Sequence, residues 1–286
     1  MSNVLAIIGG SGLYSLPELE NVTTRNVSTP FGNPSSDVVE GQIGDTRLLF
    51  IARHGEGHVL LPSEVNYRAN VFALKQLGAT HLLSISAVGS LKEEIAPGDL
   101  VVTRQYIDKT NSRPGTFFGS GIVGHVMFAD PVCPELCQLL YNTAKSQAFN
   151  VHDNATLVVM EGPAFSTRAE SMLHRQWNAD IIGMTAMPEA KLAREAELCY
   201  ATLALATDYD CWREGEEDVS VEAVMATFKS NVEKAGKMII QVASQLSSLK
   251  RGCACPAALD TAVMTDKTRI PASVQESLSP IFGRIL

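Results

Sequence analysis

Short apolar segments alternate with amphipathic segments along most of the chain. Several of the apolar segments have no polar position on either face, as expected for strands inside a sheet that helices cover on both sides. A half-exposed antiparallel strand would instead alternate apolar and polar residues. The pattern therefore predicts buried strands at residues 4–9, 47–53, 81–88, 99–103, 156–161, 180–184 and 200–207.

Helices are predicted from the amphipathic segments that separate these strands. Ser63 is a good N-cap residue and Gly78 a good C-cap residue for the first helix. Alternating strands and helices predict an α/β fold with a central mixed, partly parallel sheet flanked by helices. We expect a single domain over 1–286, in which 250–286 is a C-terminal tail packed on the body or on a neighbouring subunit. The predicted helices are 63–77, 134–147, 168–177, 188–197 and 220–247.

Composition and charge narrow the class of function. The chain has 286 residues, and its 45% hydrophobic content is enough for a sizeable core. Its 31 acidic residues exceed its 23 basic residues, giving a net charge of -8 and excluding a basic nucleic-acid or anionic-membrane footprint. A small-molecule partner is expected. The N-terminal MSNVLAIIGGSGL lacks a cationic region and a long apolar run, so a cytoplasmic protein is expected.

The six cysteines are expected to be mostly buried small hydrophobic residues. Cys253 and Cys255 form a CxC pair that is close enough for a strained, oxidising disulfide, with free thiols as the alternative. A metal is not expected there, because no second pair or histidine cluster completes four ligands in the sequence.

Hydroxyl, amide and guanidinium donors follow four of the predicted strands. Gly9 to Gly12 form a glycine turn with Ser11, although the dinucleotide fingerprint fails because Ser15 replaces its third glycine. The alternative is a tight strand exit. Arg53 and His54 end a strand, where Arg can grip phosphate, or else Arg53 makes a surface ion pair while His54 caps a loop. With Ser86, Ala87 and Thr185, these strand ends predict a divided phosphate site.

Two acids, Asp208 and Asp210, end the last predicted strand and would share one face of an extended chain. Like charges so close raise one pKa, which suits either a divalent metal or an acid that holds a proton. A metal site would need further carboxylates, and no second acidic cluster ends a neighbouring strand. The favoured interpretation is a protonated acid that serves a leaving base.

Seven motifs follow one another along the chain: IIGGSGL, ARHGEGH, LPSEVNYRAN, SAVGSL, EGPAFSTRAE, GMTAMPEA and ATDYDCW. Together and in this order they resemble the purine nucleoside phosphorylase superfamily, in its 5'-methylthioadenosine branch, over about residues 4–250. The resemblance implies a one-domain α/β fold, a homotrimer or doubled trimer, and no cofactor beyond inorganic phosphate as co-substrate. It implies that phosphate displaces adenine from C1′ with inversion, giving 5-methylthioribose 1-phosphate.

The same resemblance implies a role for each motif residue. Asp208 would donate to purine N7, Asp210 would support it and receive the 6-amino group, and Phe165 would pack on the purine. Met184 would lie under the ribose, and His125 would reach in from a neighbouring subunit. The residues implied for phosphate are Ser11, Arg53, His54, Ser86, the Ala87 amide and Thr185.

The 5′ end of the substrate is assigned to residues at helical spacing. Val221, Val224 and Met225 could form an apolar wall for the methylthio group, or else an ordinary core stripe. Ala164 and Gly183 depart from the residues common in the family, so 6-oxopurine and adenosine phosphorylases remain alternatives. A nucleoside-binding protein without turnover is the alternative of another class.

Overall fold

The computed structural model describes residues 3–10, 12, 13, 16–213 and 221–286, without the side chains of 221–226, 228 and 229. Ser11 and the side chains of Val221, Val224 and Met225 lie outside this description. Among the described residues, no helix is both long and apolar enough to cross a membrane.

A nine-stranded mixed sheet forms the centre of the molecule, in the order β2-β3-β4-β1-β5-β8-β7-β6-β9, and β9 also pairs with β5. Parallel pairs such as β1 with β4 and β5 lie beside antiparallel pairs such as β6 with β9. The strands are β1 Val4–Gly9, β2 Glu20–Arg25, β3 Val38–Ile43, β4 Thr46–Ala52, β5 His81–Ser90, β6 Leu100–Asp108, β7 Val151–Val159, β8 Ile181–Gly183 and β9 Cys199–Asp208.

Helices flank this sheet, so the predicted mixed α/β architecture is confirmed. Every residue of β1 is buried, and so is every residue of β9 except its last. The helices are α1 Tyr67–Gln76, α2 Pro134–Ser146, α3 Arg168–Gln176, α4 Ala186–Glu195, α5 Val221–Leu246, α6 Ala272–Ser277 and α7 Ser279–Phe282.

The start of the first helix was predicted wrongly. Helix α1 begins at Tyr67 instead of Ser63, and the side chain of Asn66 caps it by accepting a bond from the Ala69 amide. Ser63 lies in a turn closed by Glu64, whose carboxylate accepts a bond of 2.8 Å from the Leu61 amide. Serine and asparagine both favour the N-cap position of a helix, and here the hydrogen bond from the Ala69 amide makes Asn66 the N-cap.

The C-terminal segment contacts the body of the same chain. The Leu259 amide and the Arg284 guanidinium both donate to the buried carboxylate of Glu197, which follows α4. Val263 forms a bridge with Gly124, and the His125 amide donates to the Ala262 carbonyl over 2.9 Å. The segment is therefore joined to the loop that carries His125.

Candidate active site

The predicted strand-end residues are placed by neighbouring parallel strands. Gly9 of β1 is in register with Ala52 of β4, and the Arg53 amide donates to the Gly9 carbonyl over 2.9 Å. On β5, Ser86 and Ala87 are the first residues that are not fully buried. Because parallel strands end at a common edge of the sheet, Gly9, Arg53 and the outer half of β5 lie along one edge.

Arg53 is buried, which contradicts the alternative of a surface ion pair. Its guanidinium is 2% exposed and pairs with the fully buried carboxylate of Glu189, with Nε donating to Oε2 over 3.1 Å. Further bonds of 3.0 Å run from Nη1 to the Ile85 carbonyl and from Nη2 to the Ile8 carbonyl, and Nη2 also donates to Ser84 Oγ over 2.8 Å. The sheet therefore fixes the cation in one orientation.

His54 is held in a neutral form beside this cation. Its Nδ1 lies 2.8 Å from the Leu60 carbonyl, and its ring stacks on His58 at 4.3 Å. Burial lowers the pKa of His54 to about 4, and the nearby charge of Arg53 acts in the same direction. A carbonyl oxygen can only accept, so Nδ1 carries the hydrogen and Nε2 is a free acceptor.

Thr185 and Met184 follow β8. Thr185 occupies the N-cap position of α4, yet its hydroxyl makes no capping bond and is left for another partner. The sulfur of Met184 lies against Gly162, where an added Cβ would come within 2.6 Å of it. A Cβ at Gly183 would lie 3.2 Å from the Val88 side chain, so a larger residue there would require a small shift of Val88.

Asp208 is the last residue of β9, and its two oxygens have defined partners. Oδ1 accepts a bond of 2.8 Å from the Asp210 amide, and Oδ2 lies 2.7 Å from the Thr207 hydroxyl. Burial raises the pKa of Asp208, and these two bonds oppose the rise only in part. Asp208 therefore keeps its proton to a higher pH than an ordinary aspartic acid does.

The expectation that both acids share a strand face was wrong. Strand β9 ends at Asp208, and Asp210 lies beyond it with a positive φ of 50°, so the two-residue period does not reach it. Asp210 turns its amide back to Asp208 and buries its own Oδ2 without a hydrogen-bond partner among the described residues. Burial raises the pKa of Asp210 as well, while the nearby hydroxyls of Ser171 and Ser166 oppose the rise.

Arg113 is a residue of this region that the sequence did not indicate. Its side chain is 1% exposed and donates to the Met187 and Glu161 carbonyls over 2.7 Å and to the Met184 carbonyl over 2.5 Å. It therefore ties the loop after β7 to the loop after β8. It lies alone in the loop SRPG, where no motif distinguishes it from an exposed arginine.

Phe165 and His125 are exposed in the single chain. Phe165 is 47% exposed and follows β7 in the loop that Arg113 holds. His125 lies in the loop that pairs with Ala262, and no described hydrogen bond joins its side chain to the strand-end residues. The structure thus gathers Arg53, His54, Ser86, Ala87, Thr185, Met184 and Asp208 at the sheet edge, and no described hydrogen bond joins His125 to them.

The reason for expecting no metal at the CxC pair was also wrong. The structure brings Cys133 and Cys199 to Cys253 and Cys255, with all four sulfur atoms within 4.8 Å of one another. Cys133 caps α2 and Cys199 begins β9. The completing pair is distant in sequence, so spacing alone did not show it.

The profile of the phosphorylase superfamily matches residues 4–244, and the chain belongs to that superfamily. The S-methyl-5'-thioadenosine phosphorylase of Geobacter sulfurreducens is 52% identical to it, with 99% of each sequence covered. The resemblance stated from the sequence motifs is therefore confirmed.

Solved structures agree with this assignment. A methylthioadenosine phosphorylase sourced from an Antarctic soil metagenomic library is 45% identical, with a TM-score of 0.94 over 98% of this chain and 99% of that one. The methylthioadenosine phosphorylase from Schistosoma mansoni in complex with adenine is 39% identical, with a TM-score of 0.85 over 91% of this chain and 98% of that one.

Proposed function

We propose that the protein is a pentosyltransferase that catalyses phosphorolysis of 5'-methylthioadenosine to adenine and 5-methylthioribose 1-phosphate. The observation that carries the proposal is the partly buried Asp208 with its raised pKa on β9, the strand that pairs with β5 beside the fixed cation of Arg53. In a displacement reaction of this kind, Arg53 would bind the attacking anion and Asp208 would protonate the leaving base.

Phosphate is the nucleophile in this proposal. Arg53 supplies the positive charge, Ser11, Ser86 and Thr185 supply hydroxyls, and the Ala87 amide supplies a further donor. His54 acts differently from the rest, because its free Nε2 accepts. That acceptor matches the single hydroxyl that phosphate keeps as a dianion, so His54 would orient the oxygen that attacks C1′.

The leaving base takes the proton of Asp208. As the C1′–N9 bond breaks, its electron pair moves onto the purine, N7 takes the proton, and a phosphate oxygen bonds to C1′. Charge develops on the purine in the transition state, and a proton delivered there is stabilising only at that stage. The resulting Asp208 carboxylate keeps the donors from Asp210 and Thr207.

The Thr207 hydroxyl can also remain bonded to Asp208 when that carboxyl is protonated. It lies 3.2 Å from the Val88 carbonyl and 2.7 Å from Asp208 Oδ2. Its single hydrogen serves only one of these acceptors at a time. When it bonds Val88, the hydrogen of the shorter contact comes from Asp208 itself.

Substrate choice rests on Asp210, Phe165, Met184 and the helical residues Val221, Val224 and Met225. Asp210 would receive the 6-amino group, Phe165 would cover the purine, and Met184 would lie under the ribose. Adenosine is the second candidate, since a related Schistosoma mansoni protein is an adenosine/methylthioadenosine phosphorylase.

The proposal also covers the oligomeric state and the cellular location of the protein. A homotrimer or doubled trimer would let His125 complete a neighbour's site, and exposed Val123 and Met127, at 53% and 77%, flank His125 on a surface that a neighbour could cover. The tail would then lie on its own body and near that interface. We place the enzyme in the cytoplasm, in purine and methionine salvage, with no nucleic-acid or membrane partner and no cofactor for the reaction.

The test is to incubate the protein with methylthioadenosine, with and without phosphate, beside adenosine and inosine, and to separate the products by chromatography. Free adenine that appears only with phosphate supports the proposal. Hypoxanthine from inosine alone would assign a 6-oxopurine phosphorylase. Tight binding without release of any base would assign a nucleoside-binding protein.

A further inference from the structure

The cluster of Cys133, Cys199, Cys253 and Cys255, here called the four-cysteine cluster, lies apart from the strand-end residues of the proposed reaction. Three of its members are buried, at 4% exposure or less, and Cys253 is partly buried. They come from the N-terminus of α2, the start of β9 and the C-terminal segment. Three separate parts of the chain thus present their sulfurs to one point.

The mutual spacing of the sulfurs suits one tetrahedral centre. A metal–sulfur distance of about 2.3 Å for zinc places tetrahedral ligands about 3.8 Å from one another. The four sulfurs all lie within 4.8 Å of one another, and those of Cys199 and Cys253 are 3.4 Å apart. A disulfide needs about 2.05 Å and joins sulfurs in pairs, whereas here all four converge.

Groups around the cluster suit thiolates. The Leu136 amide at the N-terminus of α2 donates to the Cys133 sulfur over 3.5 Å, and the His81 side chain is a hydrogen-bond partner of Cys199. Four thiolates around a divalent metal carry net negative charge, which a helix N-terminus and hydrogen-bond donors stabilise.

We propose that the four-cysteine cluster binds one zinc ion as a closed structural site. On binding, the four thiols release their protons to solvent and four S–Zn bonds form, with no change of oxidation state. Sulfur-only tetrahedral coordination favours zinc or iron, and a site with four protein ligands leaves no position open for substrate. The ion would act on structure, apart from phosphorolysis.

The site would fasten the C-terminal segment to the body. After Cys255 the chain runs to Ala262 and Val263, which pair with the loop of Gly124 and His125. The Met264 amide adds a bond of 2.8 Å to the Val123 carbonyl. Removing the ion would therefore loosen the tail and the loop it holds.

The first experiment measures metal in the full-length wild-type protein, purified without added metal, by inductively coupled plasma mass spectrometry. We expect about one zinc per chain after dialysis. Replacement by cobalt(II) should give the visible bands of a tetrahedral site and the near-ultraviolet thiolate charge-transfer band. Neither readout depends on a variant or on activity, so misfolding of a mutant cannot obscure the result.

The second experiment compares Cys255→Ser with Cys137→Ser. Cys137 is a buried cysteine of α2 that lies outside the cluster and donates to the Thr103 carbonyl, so it is the matched control. Zinc should be lost from Cys255→Ser and kept in Cys137→Ser, and the chelated wild type should melt at a lower temperature than the zinc-bound form.

Four results would overturn the zinc site. Thiol counts under non-reducing conditions could show that the cluster cysteines form disulfides and bind no metal. The cluster would then be a set of structural or redox-active disulfides. Free thiols that take up no added zinc would leave plain buried cysteines. An iron–thiolate spectrum with iron in place of zinc would assign the other metal. Equal zinc in Cys255→Ser and wild type would place the ion elsewhere.

Discussion

At the scale of single residues, the balance between activity and stability is sharpest at Asp208. Its folded pKa is raised by burial, so above the ordinary pKa of an aspartate its ionised form destabilises the folded state. That penalty grows with pH until the pH passes the folded pKa, and it vanishes below the unfolded pKa. Asp208, whose proton the reaction needs, therefore lowers the stability of the folded protein at neutral pH.

Asp208→Asn should separate these two effects. The amide cannot deliver the proton to N7, so kcat/KM for methylthioadenosine should fall by about 10²- to 10⁴-fold. The same change removes the buried charge, so the melting temperature at neutral pH should rise, and the rise should shrink as the pH falls towards the unfolded pKa. Circular dichroism melts across pH, with Asp153→Asn as a control in a partly exposed ion pair, would measure it. A lower melting temperature at neutral pH would contradict the account.

His54 gives the second prediction at this scale. Since burial and Arg53 lower its pKa to about 4, the ring should stay neutral wherever an ordinary histidine titrates. Nitrogen-15 NMR of the imidazoles, assigned with His54→Asn, should show no titration of His54 above about pH 5. The exposed His58, stacked on it, serves as the internal comparison. An inflection near the ordinary value would mean that Nε2 donates to phosphate.

At the scale of elements, Arg113 joins loops that the sheet does not join. It donates to carbonyls on the segments after β7 and β8 and pairs with Glu161 at 3.3 Å. Arg113→Met would leave these acceptors unpaired, and breaking charged hydrogen bonds of this kind costs about 2 kcal/mol or more. Phe165 and Met184 should lose their positions together, so kcat/KM should fall along with stability.

Chemical denaturation and steady-state kinetics on Arg113→Met would measure both effects. Arg104→Met is the matched control, because Arg104 makes a partly exposed bidentate pair with Asp153. The control should lose about 1 kcal/mol or less and keep its kinetics. Unchanged activity in a destabilised Arg113→Met would assign Arg113 to stability alone.

The strands and loops also show how much of the structure could be predicted from the sequence. Buried strands such as β1 and β9 were predicted because their apolar runs have no other explanation, whereas β2 is exposed at every position and carries no such signal. The phosphate and base residues were predicted from motifs. Arg113 and the four-cysteine cluster were not, because both depend on contacts between segments far apart in the chain.

At the scale of the whole molecule, the position of His125 decides whether one chain makes a complete site. The residue is in a loop held by the tail, no described hydrogen bond joins its side chain to Arg53 or Asp208, and its neighbours Val123 and Met127 are exposed. A closed ring of identical subunits would place each loop against the next subunit's sheet edge. Each site would then need Asp208 from one chain and His125 from another.

Subunit mixing tests this arrangement. Asp208→Asn and His125→Ala should each be weakly active alone, and the two should be unfolded and refolded together in equal amounts. If His125 acts on the neighbouring site, random mixing gives about one quarter of the sites an intact Asp208 and an intact His125. If His125 serves its own chain, no site regains both residues and activity stays at the level of the separate variants. Refolding each variant alone is the control, and activity that stays at that level in the mixture would contradict the shared site.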